Sequence, residues 1–301
     1  MKPIKHIKLE KGMKVDELVD AFSEAGFGAR DVAKAREIWK KMQDDKECKI
    51  FFGLAGAMVP GGMRQIIADL LKQDKIDVLV TTGANLTHDL IEALGESHYQ
   101  ADKSVEEIDD AELNKKGIDR IHNVYMKNSV YIKLEKFFEE NWSEISKCKK
   151  INELIWKLGE LVKDENSILR VCFEKKIPVF CPALADSGIG LMIWGKKAAG
   201  KEIFVDAFED MKDIIDIAWT CKKAGVVYLS GGFPKNFIQQ SLQFTKGASY
   251  GIQVTTDRKE SGGSSGAPLA EGISWGKMKE KADFVDVFCD ATIALPLIVA
   301  D

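Results

Sequence analysis

The sequence predicts an α/β fold: a doubly wound, mostly parallel, Rossmann-like sheet with helices on both faces and a helical insertion. Three observations lead there. Strand-like runs alternate with helical patterns along most of the chain. The strand-like runs are continuously apolar and β-branched, the pattern of strands buried on both faces. Several of them run into Gly- or Thr-rich turns that open directly onto a helix.

In chain order, KIFFGLAGAM (49–58) reads as a strand that leads through Pro60-Gly61-Gly62 into the amphipathic MRQIIADLLKQ. IDVLVTTGAN (76–85) is the next strand, followed by the helical HDLIEALGE. IPVFCPAL (177–184) is a third buried strand. FVDAFEDMKDIIDIAWTCKKAG has helical periodicity and precedes the strand VVYLSGG (226–232). YGIQVTT (250–256) and FVDVFCDA (284–291) complete the set. Residues 100–168 differ: a polar stretch is followed by two amphipathic helices, VYIKLEKFFEENWSEI and INELIWKLGELV. Because strands resume afterwards, this segment is expected to be an insertion within a single domain spanning 1–301. SGGSSGAP (261–268) is too short to act as a linker.

Bulk properties narrow the function. The net charge of −4 offers no general attraction to nucleic acid, and no apolar run approaches the ~18 residues of a membrane span. Cys48, Cys148, Cys172, Cys181, Cys221 and Cys289 are scattered without a CxxC pair, which argues against zinc and against a disulfide framework. His6, His88, His98 and His122 have no ligand spacing, so no metal is expected. The opening MKPIKHIKLEKGMK is charged throughout, unlike a signal peptide, and a cytoplasmic location is expected.

Candidate chemistry sits at the strand ends. AGAMVPGG (55–62), TTGAN (81–85) and SGG (230–232) are small-residue turns where backbone N–H groups can meet a phosphate, although none is a G-x-G-x-x-G fingerprint. Asp186 and Asp290 follow apolar strands, where an acid either holds a ribose or caps a helix. His88, beside the TTGAN turn, either faces a ligand or merely starts a helix. Lys277, in EGISWGK, stands behind Trp275-Gly276 with Glu271 upstream. A lysine desolvated beside a ring becomes a nucleophilic neutral amine. The charge run KMKEK (277–281) favours a solvated lysine instead.

FFGLAGAMVPGGMRQIIADLL, IDVLVTTGANLTHDLIEAL, PVFCPALADSGIG, LSGGFPKNFI, EGISWGKMK and VFCDATIALPLIVA together resemble the deoxyhypusine synthase family over most of the chain. SWGK with the downstream DA is the most discriminating part. The resemblance implies NAD-dependent oxidation of spermidine, capture of its aminobutyl group as an imine on Lys277, and transfer to a lysine of translation initiation factor 5A. It implies NAD contacts at Gly56, Ala57, Met58, Val59, Pro60, Thr82, Gly83, Ala84, Asp186, Gly231, Thr256, Asp290 and Ala291. It implies polyamine contacts at Gly262, Gly263, Ser264, Glu271, Trp275, Asn236 and Gln240, in a homotetramer with active sites at subunit interfaces.

Departures from the family pattern cluster at the amine site. Leu191 and Ser264 stand where the family has aspartates, Asn236 replaces a histidine, Gln240 an asparagine, and Thr87 and His88 paired glutamates. His88 is then the candidate general base, being the only histidine near a matching motif. Two alternatives stay open: transfer to a free amine or from another donor, as in homospermidine synthases, and a non-catalytic NAD-binding paralogue.

Overall fold

A computed structural model describes residues 1–300. The elements, in chain order, begin with α1 (Val15–Phe22), α2 (Phe27–Asp44), β1 (Cys48–Leu54), a π-helical turn (Val59–Met63), α3 (Arg64–Lys72), β2 (Val78–Thr81) and α4 (Gly83–Ala93). The middle of the chain forms β3 (Tyr99–Gln100), α5 (Asp110–Lys115), β4 (Ile118–Ile121), β5 (Val124–Lys127), α6 (Val130–Ile145), α7 (Ile151–Leu161), α8 (Ile168–Lys175), β6 (Val179–Phe180) and α9 (Gly188–Ala198). The last third holds α10 (Ala207–Thr220), β7 (Lys223–Leu229), α11 (Gly232–Leu242), β8 (Ala248–Thr255), α12 (Glu271–Ser274), β9 (Met278–Phe288) and α13 (Ala291–Val299). The fold is α/β with a mostly parallel main sheet of six strands, as the apolar runs predict.

Two compact units emerge. The first comprises Met1–Gly56, Lys75–Val80 and Met211–Asp301. It carries strands in the order β2-β1-β7-β8-β9, with β1, β7, β8 and β9 paired in parallel. Phe51, Phe52, Leu54, Val226, Leu229, Ile252, Val254 and Val287 are fully or almost fully buried there, because helices cover both faces. Register shows how. A Cβ added at Gly225, which pairs with Ile50, would strike Met42 of α2. One added at Gly53, three residues further along β1 and so on the opposite face, would meet Ile238 of α11. Arg36 of α2 is buried and donates to the carbonyl of Ala300 and to Asp20, tying the chain end to α1 and α2.

The second unit comprises Ala57–Asp74 and Thr81–Asp210. Its core is helical, with α7 on α8, α3 on α8 and α4 on α9. Residues 100–168 lie wholly within it, and the two expected helices form as α6 and α7. Ahead of them stands a small antiparallel sheet, β3-β5-β4, that the sequence did not suggest. Its strands are two to four residues long and carry charges on half of their positions in IDRI, too short and too polar to read as strands. The third expected strand, IPVFCPAL, shrinks to Val179–Phe180 because Pro178 and Pro182 donate no backbone hydrogen bonds. Among the described residues, no helix is long and apolar enough to cross a membrane, and no group of three or more His, Cys, Asp or Glu could hold a metal.

Candidate active site

Lys277 follows Trp275-Gly276 for a backbone reason. The short helix α12 ends in a Schellman turn: Gly276 N–H donates to the Ile273 carbonyl, and Lys277 N–H to that of Gly272 at 2.8 Å. Gly276 takes φ +71°, which a side chain would strain, so glycine belongs there. The turn delivers Lys277 to the start of β9, where its carbonyl accepts from Ala248 N–H of β8. Trp275 stays 61% exposed, and the Lys277 ammonium lies 4.9 Å from its ring centroid, within cation–π range. Burial holds the Lys277 amine below the ordinary lysine range.

Lys277 lines a groove of about 360 Å³ in the first unit, within the size range of small-ligand sites. Asn236, Gln240, Gly262, Ser264, Glu271 and Trp275 share its wall, so seven sequence-nominated residues meet in one place. Gly263 alone of the nominated loop residues lies off that wall. Gln239 and Gln243 add two more amides, and Glu271 is the single carboxylate among the lining residues.

A second cluster forms along the carboxyl edge of the same parallel sheet. Leu54 of β1 pairs with Leu229 of β7, Leu229 with Val254 of β8, and Val254 with Val287 of β9. Gly56, Gly231, Thr256 and Asp290 follow those strands directly, at the edge where open α/β sheets bind ligands. Ser230, Gly231 and Gly232 have successive positive φ angles ahead of α11, whose N-terminus has no side-chain cap. This turn and the uncapped helix end suit the phosphates or ribose of a dinucleotide. Asp290 accepts from Thr292 N–H at 2.8 Å and so caps α13 while remaining exposed; Ala291 is buried in the first turn.

Gly231 has φ +80° and ψ −120°, and a Cβ there would lie 2.5 Å from Ser265 Cα. Gly231→Ala is therefore expected to cost about 2–3 kcal/mol from strain and from displacing that backbone. Urea denaturation measures this, and a variant as stable as the parent would exclude it.

The remaining nominated cofactor residues lie in the second unit, where three segments meet. Thr82 caps α4, its hydroxyl accepting from Asn85 N–H, and Asn85 in turn accepts from Val59 N–H at 3.3 Å. That joins Thr82, Gly83 and Ala84 to the Ala57–Pro60 turn, in which Met58, Val59 and Pro60 are buried. Gly83 packs so closely on Ser187 that a Cβ would come within 2.5 Å, bringing the exposed Asp186 turn alongside. Thr87 is buried and structural: it donates to the Gly83 carbonyl and accepts from Ile189 N–H, bracing α4 against α9. Leu191 is exposed on α9. His88 Nδ1 pairs with His98 Nε2 at 2.8 Å, and His98 Nδ1 with Glu92 at 2.7 Å. Burial, reinforced by His98, pushes His88 down to about 4, so its ring is neutral at pH 7.

Residues 17–301 match the family model "Deoxyhypusine synthase". The chain is 45% identical over 300 residues to "Probable deoxyhypusine synthase 1" of Methanosarcina acetivorans, covering 99% of this chain and 93% of that protein. The chain belongs to the deoxyhypusine synthase family. It is thus a transferase. "Probable deoxyhypusine synthase 2" of Archaeoglobus fulgidus is 43% identical over 282 residues, 91% of this chain and 93% of its own length. The crystal structure of "a putative deoxyhypusine synthase from Entamoeba histolytica" shares the fold, with TM-score 0.66 at 21% identity over 99% of this chain and 95% of that one.

Two polar residues beside the deoxyhypusine-synthase-like motifs escaped sequence reasoning. Lys235 of α11 is buried to 1% exposure, and Gln253 of β8 equally so. Nothing in the residue types of FPKNF marks Lys235 as buried. Its helix period held the clue: Lys235, Ile238, Gln239 and Leu242 occupy one buried face at i, i+3, i+4 and i+7.

Proposed function

We propose that this family member is an NAD-dependent aminobutyl transferase, passing the aminobutyl group of spermidine through an imine on Lys277 to a lysine of translation initiation factor 5A. The observation that carries this reading is Lys277 itself: a half-buried amine over a tryptophan ring, in a groove whose single carboxylate is Glu271. Bound NAD would supply a hydride acceptor for the donor carbon beside the amine nitrogen and, once reduced, the hydride that saturates the final imine on the acceptor lysine. Gly56, Gly231, Thr256, Asp290 and Ala291 of the first unit are its proposed contacts, with Ala57–Pro60, Thr82–Ala84 and Asp186 of the second. The neutral Lys277 Nζ attacks the oxidised donor carbon. A C–N bond forms there and the bond to the departing diamine breaks, that amine leaving with the proton. The acceptor lysine then displaces Lys277 in the same way, regenerating the free amine. Trp275 stacks on the cationic chain and Glu271 pairs its ammonium. His88, neutral at pH 7, is the proposed base. Assembly as a homotetramer and a cytoplasmic location accompany the reading.

One observation favours a second reading, use of a different donor or of a free-amine acceptor. A polyamine presents an ammonium at each end, and an unpaired buried charge costs several kcal/mol. Asn236, Gln240, Gln243 and Ser264 line the groove where carboxylates would serve a second ammonium. The test is incubation with NAD, labelled spermidine or another polyamine, and the factor, followed by borohydride trapping. Label on the factor selects the first reading and label on a small amine the second. No adduct with any amine, despite tight NAD binding, leaves a non-catalytic paralogue.

The pH dependence has a definite sign. Only neutral Lys277 attacks, and burial lowers its pKa. The trapping rate should therefore rise with pH through a midpoint below the ~10.4 of an exposed lysine. Stopped borohydride trapping across pH reads this directly, and a midpoint at or above that value would refute it.

A further inference from the structure

The loop between β8 and α12 carries Gly262 and Ser264 to the groove wall, yet apart from a single 3-10 turn at Lys259–Ser261 it has no regular structure of its own. Something else must fix it. Lys235 Nζ donates to the Ser264 carbonyl at 2.7 Å and to the Ala267 carbonyl at 2.6 Å. Gln253 Nε2 donates to the same Ala267 carbonyl at 3.1 Å and to that of Ser265 at 3.4 Å. The Gln253 carbonyl oxygen is left without a partner, and its orientation is forced, since the flipped amide would set oxygen against two carbonyls. Ser264 Oγ adds a donation to the Gly232 carbonyl, and Gly231 leaves room for Ser265 to lie directly on the turn before α11.

An interior ammonium is an expensive way to fill space. Methionine would bury a stem of the same length without the desolvation cost of a charge. That cost is visible in the amine, which burial holds down to about 8 against the pull of Asp286 and Glu271. What only a multiple donor achieves is to hold two inward-facing carbonyls three residues apart.

We propose that Lys235 is a positioning residue of the amine groove: with Gln253 it clamps the Ser264–Ala267 turn, and so sets the wall that the donor amine meets beside Glu271 and Lys277. The positioning role rests on the amine-transfer reading above; the clamp does not.

The experiment uses the full-length protein with Lys235→Met and Gln253→Met. Amide hydrogen exchange across 262–267 should accelerate about tenfold or more in Lys235→Met and about threefold in Gln253→Met, with β7 and β8 unchanged. For the donor amine that the wild type uses, KM should rise about tenfold in Lys235→Met while kcat stays within about twofold, the split expected for lost ground-state positioning. A folded Lys235→Met with wild-type loop exchange and KM overturns the proposal. Should that variant fail to fold, unchanged exchange in Gln253→Met overturns it. A wild type that turns over no amine would defeat the transferase reading alone, and loop exchange would still decide the clamp.

Discussion

Lys277→Ala should abolish the borohydride-stable adduct and lower turnover by at least about a thousandfold, because no other amine is positioned to replace the covalent step. Lys235 also lines the groove, but its ammonium is committed to two carbonyls and is buried to 1% exposure. Stability should hardly change, within about 1 kcal/mol, since the Lys277 side chain is half-buried and its structural hydrogen bonds come from the backbone. NAD affinity should likewise persist. Lys277→Arg separates charge from nucleophilicity: it keeps a cation near Trp275, yet a guanidinium stays protonated and forms no imine. Peptide mapping of the trapped protein locates the adduct. Label remaining on the enzyme after Lys277→Ala would place the covalent centre elsewhere and end the assignment.

Asp89→Ala should be the most destabilising of the substitutions considered, at about 3–5 kcal/mol. Asp89 is 0% exposed and accepts from Arg64 Nε at 2.7 Å, Ser167 Oγ at 2.7 Å, Ile168 N–H at 3.0 Å and Leu169 N–H at 2.9 Å. Burial pushes its carboxyl up, against the pull of Arg64. One side chain thus joins α4, the guanidinium at the start of α3 and the first turn of α8. Alanine would orphan three donors and leave Arg64 with Asp164 at 2.8 Å as its close partner. Such a loss is a large fraction of the 5–15 kcal/mol that holds an ordinary domain together. Asp89→Asn should fall between, since it keeps an acceptor oxygen but sets an NH₂ group among donors. Urea denaturation measures both, and a loss under about 1 kcal/mol for Asp89→Ala would contradict this account.

The sheet was legible where burial on both faces dictated composition. β1, β7 and β8 are apolar runs because, beyond their first residues, neither face of them meets water, and the turns after β1 and β7 announce themselves by glycine. The groove was legible only in part. From periodicity and charge, Lys277 reads as the head of KMKEK, a solvated run; its burial arises from the Schellman turn at Gly276 and the neighbouring ring, which are relations in space. His88 reads as an isolated histidine, because nothing in a ten-residue separation signals that His98 returns to within 2.8 Å of it. Asp89, adjacent to His88, gives no sign that its partners lie near residues 64 and 167. Lys235 and Gln253 were hidden for a different reason: composition rules assume that polar side chains seek water, and these two serve backbone carbonyls in the interior.

The first unit is assembled from three separate stretches of chain, with residues 48–54 hydrogen-bonded to 223–229. On the ribosome, β1 therefore emerges long before the strand that covers its edge. The whole of Ala57–Asp74 and of Thr81–Asp210 is made in between, so the second unit has its complete sequence while the first still lacks β7, β8 and β9. Phe51, Phe52 and Leu54 wait with an open edge through that interval, a risk for misassociation that long-range parallel pairing brings with it. The groove containing Lys277 forms last, after the final third of the chain has been synthesised, so a truncated product carries the exposed strand without the reactive lysine.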